Sequence, residues 1–343
     1  MAQLSEKLNC ELMIGNRMIH NRLLLSPMAG LTHIALRELV SSYGGYGLLF
    51  TEMCNARALP QENRYLSPVF RWRNEELAHL VCQLFGSDPM VMAQAARRVE
   101  QESFFGVDLN FGCSVSAICR KNCGAALLKD PDRAVNIVTA VRRAVSIPVF
   151  VKFRSGWQDD HRPPPQQAVE LAARFEEAGA DALVFHPRLA PDRRSRPPRR
   201  EHITQIKAAV SIPVFGNGNV FDIDDASTML RETGCDGLAL GRIAVARPWI
   251  FAAFTRNLRP AGTVYHDSAL QMARLLSMYF DDVTALKRFK KYAVYFSANF
   301  TFGHALYHRL CKADTMEQIE TNLNDLFITL PQRSARPNLS RFV

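Results

Sequence analysis

The 343-residue chain has no apolar run that reaches about 18 residues, the length that a membrane-spanning helix requires. Its first ten residues, MAQLSEKLNC, lack the basic segment followed by an apolar segment that marks a secretory signal peptide. These two absences argue against a membrane anchor and against export. We therefore expect the protein in the cytoplasm. Disorder throughout the chain is excluded as well, because 48% of the residues are hydrophobic and only 22% are charged.

Cysteine is present but not concentrated. Eight cysteines are spread over the chain, unlike the dense pattern of a disulfide-stapled secreted domain, so we expect reduced thiols. Three of them, Cys113, Cys119 and Cys123, have the spacing C-x5-C-x3-C, which matches no usual zinc or iron–sulfur pattern. No fourth ligand lies nearby in sequence, and we therefore predict no metal site.

A glycine-rich G-x-G-x-x-G turn is missing after the first apolar strand, which argues against a Rossmann sheet. Short apolar strands instead alternate with amphipathic helical stretches between residues 22 and 254, as in consecutive βα units. The eight predicted strands are Arg22–Ser26, Gly47–Glu52, Leu80–Leu84, Gly106–Asn110, Pro148–Lys152, Ala182–His186, Pro213–Gly216 and Gly237–Gly241. Six Rossmann strands would leave two of these unplaced, so we predict an α/β fold, a closed (β/α)8 TIM barrel.

An internal repeat supports this prediction, because the sequence SIPVF at 146–150 recurs at 211–215, each time at the start of a strand. The segment ELMIGNRMIHNR before the first strand has a Gly-Asn turn and predicts a hairpin that plugs the barrel floor. We expect a barrel domain over residues 1–255, a linker over 256–267, a small all-helical domain over 268–330 and a mobile basic tail over 331–343.

The carboxyl ends of barrel strands surround the active site, and here they are polar. Cys113 follows Asn110 on a glycine-flanked turn, and the residues alone leave open an exposed reactive thiol or a packed structural one. Lys152 lies within the apolar run VFVKFR, where an unpartnered ammonium would be costly, which favours a functional lysine. The glycine turns at 216–219 and 241–242 lie where barrels bind phosphate, although glycine is also common in tight loops. Together these features suggest flavin mononucleotide (FMN).

The formal net charge of +9 favours an anionic partner. Six arginines fall between Arg188 and Arg200, and a second cluster, KRFKKY at 287–292, mixes bases with aromatic residues. Each cluster alone could be a solvated surface. Together they favour RNA or DNA, because lysine and arginine neutralise phosphates and aromatic rings stack on unpaired bases.

Motifs along most of the chain resemble those of the dihydrouridine synthase family, flavin enzymes that reduce uridine in RNA. They are LLLSPMAGLTHIALREL at 23–39, DLNFGCSVSAICRKNCGAALLKDP at 108–131, VKFRSGW at 151–157, the segment from IPVFGNGN to LALGR at 212–242, RPWIF at 247–251 and LKRFKKYAVYF at 286–296. The resemblance implies FMN contacts from Pro27, Met28, Ala29, Gln83, Lys152, His186, Asn217, Gly218, Asn219, Gly241 and Arg242.

The resemblance also implies the reaction. NADPH reduces FMN, the reduced N5 delivers hydride to uracil C6, and Cys113 protonates C5, which makes Cys113 the catalytic residue. Asn110 is expected to hold the flipped-out base. Together with the basic clusters, this gives Asn110, Arg154, Arg188, Lys287, Arg288, Lys290 and Lys291 as the expected substrate contacts. The family points to tRNA as the partner, and we expect a monomer.

Three positions differ from the family pattern. Ser114 stands where a proline usually follows the cysteine, Pro187 replaces a glycine after the histidine, and Ile243 replaces a glycine after Gly-Arg. Two alternatives stay open at this stage. One is an FMN barrel that acts on a small pyrimidine or enone, and the other is a non-catalytic RNA-binding relative of the enzyme.

Overall fold

A computed structural model describes residues 2–157, 165–192 and 196–339. Two arginines of the predicted arginine-rich loop, Arg193 and Arg194, and the last four residues of the predicted tail, 340–343, lie outside the described residues.

Ten strands form a hairpin and a barrel. They are β1 (Leu12–Ile14), β2 (Arg17–Ile19), β3 (Leu23–Leu25), β4 (Leu48–Asn55), β5 (Leu80–Phe85), β6 (Gly106–Phe111), β7 (Val149–Gly156), β8 (Ala182–Leu189), β9 (Val214–Asn217) and β10 (Gly237–Leu240). Strands β3 to β10 are parallel, pair in sequence order, and close through the pair of β10 with β3. The predicted closed barrel and its eight strands are therefore confirmed.

Helices connect the strands and continue beyond them. They are α1 (Ala2–Leu8), α2 (Ile34–Tyr43), α3 (Pro89–Gln101), α4 (Ser116–Cys119), α5 (Pro131–Ala144), α6 (Gln166–Glu177), α7 (Glu201–Ala209), α8 (Ile223–Thr233), α9 (Arg242–Ala246), α10 (Ile250–Arg256), α11 (Val264–Tyr279), α12 (Asp282–Ser297), α13 (Gly303–Cys311) and α14 (Met316–Ile328). Helix α1 was not predicted from the sequence. It packs against α10.

Alternate strand residues point into the barrel and fill its lower half with apolar side chains. Leu24, Phe50 and Phe150 belong to this buried cluster, and so do Ile14 and Ile19 of the β1–β2 hairpin. The hairpin therefore closes the barrel floor, as predicted. Because the lower half of the barrel is filled, the cavity formed by the described barrel residues lies towards the carboxyl ends of the strands.

The C-terminal helices share the main apolar core with the barrel. Helix α11 packs on α2 and α12 packs on α9, and the buried cluster runs without interruption from barrel residues to Leu276, Phe289 and Leu323. The first of these helices begins at Val264 rather than at residue 268, so the linker between barrel and helices is shorter than expected.

The segment 331–339 belongs to the tail that we expected to be mobile, and it contacts the rest of the described chain. Arg333 pairs with Phe300, Leu339 is buried, and the Arg336 guanidinium forms ion pairs with Asp222 and Asp225 at 2.9 and 2.7 Å. A basic, proline-containing composition suggested a solvated tail, but the acidic start of α8 supplies partners for it. We call residues 331–339 the C-terminal strap.

Candidate active site at the barrel mouth

The carboxyl ends of the strands surround a cavity of about 920 Å³. This volume lies within the range of roughly 300–1,000 Å³ that is typical of small-molecule and cofactor sites. The residues expected to contact FMN all line it, namely Pro27, Met28, Ala29, Gln83, Lys152, His186, Asn217, Gly218, Asn219, Gly241 and Arg242. Cys113, Asn110, Arg154 and Lys291 line the same cavity.

The loop that carries Cys113 is fixed by the side chain of Asn110. The backbone N–H groups of Gly112 and Cys113 donate to Asn110 Oδ1 at 3.1 and 2.9 Å. The Asn110 amide nitrogen donates to Gln83 Oε1 at 3.0 Å, and Asn110 is only 7% exposed. Asn110 was expected to hold the substrate base, but its carbonyl oxygen and one N–H are already committed to the protein. In this structure its described contacts position Cys113.

The same loop is closed from its other side. The Cys113 carbonyl accepts from the Ala125 N–H at 2.8 Å, and the Arg154 guanidinium donates to the Gly112 carbonyl at 2.7 Å. These contacts hold the loop although Ser114 stands where the family has a proline. Cys113 itself is partly exposed to the cavity, which is the environment that a reactive thiol needs.

Asp108, which the sequence analysis missed, lies beneath these groups. Its Oδ2 accepts from the Gln83 amide nitrogen at 2.7 Å, and the residue is fully buried. Burial raises the pKa of this carboxyl from 3.8 to about 7, against the opposing effects of the Gln83 hydrogen bond and the Lys152 charge. One signal was available, because Asp108 interrupts an apolar strand two residues before Asn110 and therefore faces the same side.

Lys152 is half-buried in the cavity wall, with its ammonium 3.2 Å from Asn217 Oδ1. Burial, and next the Arg154 guanidinium, lower its pKa from 10.5 to about 8, while Asp108 acts in the opposite direction. Asn217 is held in turn by donating to the Ala239 carbonyl at 2.7 Å. The site therefore presents a positioned ammonium group to a ligand.

His186 and Arg188 lie two positions apart on β8, and their side chains contact each other. Arg188 lies 2.9 Å from His186 Nε2 and donates to the Arg196 carbonyl, and it is only 2% exposed. Burial, and next the charge of Arg154, lower the pKa of His186 well below 6.5, so its imidazole is neutral near pH 7. Arg188 was expected to contact substrate; it is not among the described residues that line this cavity, although it donates to Asn219, which does.

One side of the cavity has the features of a phosphate site. Asn219 Oδ1 accepts from Arg242 at 3.0 Å and from Arg188 at 3.2 Å. Arg242 also donates to the Leu339 carbonyl of the C-terminal strap at 3.0 Å and lies 5.4 Å from the Phe221 ring centre. The strap therefore contributes to the wall that holds Arg242.

The residues present fit a phosphate-bearing flavin. A Cβ added at Gly241 would have only cavity-lining atoms near it, Met28 Sδ at 3.5 Å and Ser26 Cβ at 3.8 Å, so the absent side chain leaves room for a ligand. Arg242 supplies positive charge on this side, and the Lys152 ammonium and Gln83 amide supply polar groups elsewhere in the cavity.

The basic cluster on α12 divides between two faces of the helix. Arg288 pairs with Glu52 of β4 at 2.9 Å, and Lys291 donates to the Ala29 carbonyl at 2.6 Å, so both tie α12 to the barrel mouth. Lys287 and Lys290 instead line a separate groove of about 510 Å³ at the start of α14. The seven expected substrate contacts are therefore not gathered at one place.

The comparisons with known proteins agree with this architecture. The family model described as "Dihydrouridine synthase (Dus)" matches residues 24–328. The chain belongs to the dihydrouridine synthase family. It is 35% identical to tRNA-dihydrouridine synthase B of Pseudomonas aeruginosa, covering 80% of both chains. It is 34% identical to a probable tRNA-dihydrouridine synthase of Mycobacterium tuberculosis, covering 93% of this chain and 86% of the relative.

Solved structures with low sequence identity share the fold of this dihydrouridine synthase family member. A 2-naphthoyl-CoA reductase complex matches with a TM-score of 0.56 and 14% identity, covering 74% of this chain and 52% of that chain. Morphinone reductase matches with a TM-score of 0.51 and 16% identity, covering 74% of this chain and 90% of that chain.

Two features are absent from the described residues. Within 2–157, 165–192 and 196–339, no helix is both long and apolar enough to span a membrane. In the same ranges, histidine, cysteine and acidic side chains nowhere form a group of three or more that could hold a metal ion.

Proposed function

We propose that the protein binds FMN at the barrel mouth and reduces uridine to 5,6-dihydrouridine in tRNA, with NADPH as the reductant. The observation that carries this proposal is the convergence of Cys113, Lys152 and the two glycine turns on one cavity. Family membership supplies the reaction class, and the names of the relatives supply tRNA. We further propose that it acts as a monomer in the cytoplasm.

FMN, once bound and reduced, supplies the hydride that adds to C6 of the uracil ring. Saturation of the C5–C6 double bond then needs one proton at C5. The Cys113 thiol is the proposed donor, because it reaches the cavity and its loop is held at both ends by hydrogen bonds. Solvent returns the proton to the thiolate after each turnover.

The other cavity residues bind and orient. The Lys152 ammonium and the second N–H of the Gln83 amide, whose first N–H donates to Asp108, are the proposed contacts for the polar edge of the flavin ring. Arg242 with the turn at 217–219 holds its phosphate. His186, neutral near pH 7, offers a ring nitrogen without adding charge. The target base has to leave its stack to reach this depth.

We propose that the groove lined by Lys287 and Lys290 contacts the tRNA backbone. Arg288 and Lys291 are committed to the barrel, whereas Lys287 is exposed and Lys290 half-buried in the groove, which Asp282, Asp314 and Glu317 also line. Lysines on an exposed face neutralise phosphates and make binding depend on salt concentration.

The central test replaces Cys113 by alanine. We expect the Cys113→Ala variant to keep its flavin but to form dihydrouridine at least about 100-fold more slowly, the usual loss when a general acid is removed. Dihydrouridine is measured in tRNA by mass spectrometry, with the exposed and distant Cys10→Ala as the matched control. A variant with full activity would exclude Cys113 as the acid. Reduction of free uracil or an enone, but not of tRNA, would favour a small-molecule enzyme.

The tRNA surface is tested by the double variant Lys287→Ala/Lys290→Ala. We expect weaker tRNA binding and a salt dependence whose slope, log Kd against log salt, falls by about two, roughly one for each lost phosphate contact. Flavin binding and the reduction of flavin by NADPH should stay unchanged. Lys207→Ala on α7, where the lysine pairs with Asp236, is the control. An unchanged slope would place the RNA elsewhere.

A further inference from the structure

A chain of hydrogen bonds runs from the barrel interior to the Cys113 loop. Asp108 Oδ2 accepts from the Gln83 amide nitrogen at 2.7 Å, and Gln83 Oε1 accepts from the Asn110 amide nitrogen at 3.0 Å. Asn110 Oδ1 then accepts from the N–H groups of Gly112 and Cys113. The three side chains are 0%, 2% and 7% exposed, so water does not replace these contacts.

We propose that Asp108 is a positioning residue. It fixes the donor-to-acceptor direction of these hydrogen bonds and thereby the position of the Cys113 loop. Above its pKa of about 7, Asp108 is an ionised carboxylate that can only accept hydrogen bonds, whereas an amide can present either its oxygen or its nitrogen. Asp108 therefore requires Gln83 to turn its nitrogen inward, which leaves the Gln83 oxygen for the Asn110 nitrogen. Only then does the Asn110 oxygen face the two loop N–H groups.

The position of Asp108 in the barrel supports this role. Asp108 is paired in register with Gln83 on one side and on the other with Phe150, which belongs to the apolar cluster inside the barrel. Within the described part of the chain, its second oxygen, Oδ1, has no hydrogen-bond partner. A buried carboxyl with an unsatisfied oxygen costs stability. The hydrogen bond from the Gln83 amide is the interaction that offsets this cost.

The inference rests on the proposed function in one respect, since it assigns importance to Cys113. It is tested with Asp108→Leu, which removes the acceptor at similar volume, and with Asp108→Asn, which still bonds to Gln83 but allows both amide orientations. Thr51→Val is the control, because Thr51 accepts from the Gln83 backbone N–H at 3.0 Å and has no part in orienting the side-chain amide.

Two measurements are made on the purified protein with its flavin. The first is the rate of Cys113 alkylation by iodoacetamide relative to exposed Cys10, followed by peptide mass spectrometry. We expect a roughly fivefold rise in Asp108→Leu, because the loop opens more often when the hydrogen bonds that close it are weakened. The second is dihydrouridine formation, where kcat should fall about 100-fold with little change in KM for tRNA, since the thiol is misplaced rather than the RNA.

The asparagine variant should lie between wild type and leucine in both measurements, and it decides the question if the leucine variant fails to fold. The proposal would be overturned if both Asp108 variants kept the alkylation rate and the kcat of the wild type. It would also be overturned if Thr51→Val changed both quantities as much as the Asp108 variants do. If the wild-type protein reduces no uridine, the proposed function fails. The alkylation ratio then still decides whether Asp108 positions the loop.

Discussion

At the scale of single residues, Gly124 limits how closely two loops of the site approach each other. Its φ is +64°, and an added Cβ would lie 2.5 Å from the carbonyl oxygen and 3.2 Å from the Cβ of Cys113. The carbonyl belongs to the backbone and accepts the Ala125 N–H, so it has little freedom to move. Any side chain at this position therefore displaces Cys113 itself.

We predict that Gly124→Ala forms dihydrouridine about 100-fold more slowly while keeping its flavin, because a displacement of about 1 Å at a reacting group has that effect. Gly234→Ala is a matched control. Gly234 has nearly the same φ, +65°, but nothing within 4 Å of an added Cβ. The Gly234→Ala variant therefore places alanine in the left-handed conformation, which costs about 1–2 kcal/mol, but without the clash. Equal losses in the two variants would contradict the displacement argument.

Residue type and place in a strand sufficed to predict most of the cavity. Lys152 and His186 end their predicted apolar strands and Arg242 follows the last one, and the carboxyl ends of parallel strands meet at one edge. The pairing of Asp108 with Gln83 was beyond such reasoning, because the two residues are 25 positions apart and their contact depends on strand register. The commitment of Asn110 to the Cys113 loop needed the same three-dimensional information.

At the scale of elements, the C-terminal strap connects the helical region to the phosphate side of the cavity. Arg336 pairs with Asp222 and Asp225 at the start of α8, and the Leu339 carbonyl accepts from Arg242. The Arg336 side chain is 53% exposed, and ion pairs at such positions are worth about 0.2–1 kcal/mol each. Two such pairs bias the strap towards its docked position without locking it.

We predict that Arg336→Ala weakens FMN binding by about two- to tenfold, because a released strap no longer holds Arg242, and the range follows from the small energy of exposed ion pairs. Fluorescence titration of the apoprotein with FMN measures this change. The control is Arg309→Ala, which removes a similarly exposed ion pair, with Asp325, on the helical region. An unchanged Kd in Arg336→Ala would mean that the strap has no part in flavin binding.

The strands were easier to predict than the elements at the two ends of the chain. Each barrel strand is a buried apolar run with turn residues beside it, so its signal is local. The strands β4, β7 and β8 extend beyond their predicted ends to Asn55, Gly156 and Leu189, because backbone pairing continues after the apolar run has ended. The strap has no apolar pattern, and its order comes from partners far away in sequence.

At the scale of the whole molecule, buried ionisable groups make stability depend on pH. Burial lowers the pKa of His33, His186 and His202 below 6.5, so these side chains bind protons more readily in the unfolded chain. Their contribution to stability is therefore lost as the pH falls below about 6.5. Asp108 acts in the opposite direction. Its pKa is raised from 3.8 to about 7, so within that window the native state holds a proton that the unfolded chain releases.

The free energy of unfolding of the wild-type protein should therefore rise between about pH 5 and 6.5, because three histidines outweigh one aspartate. In Asp108→Asn the opposing contribution is gone, and the rise should be steeper by up to about 1.4 kcal/mol per pH unit. Urea unfolding at several pH values measures both slopes. Thr51→Val loses a hydrogen bond but no titrating group, so its curve should run parallel to wild type. Parallel curves for wild type and Asp108→Asn would instead mean that Asp108 ionises in the barrel as it does in the unfolded chain.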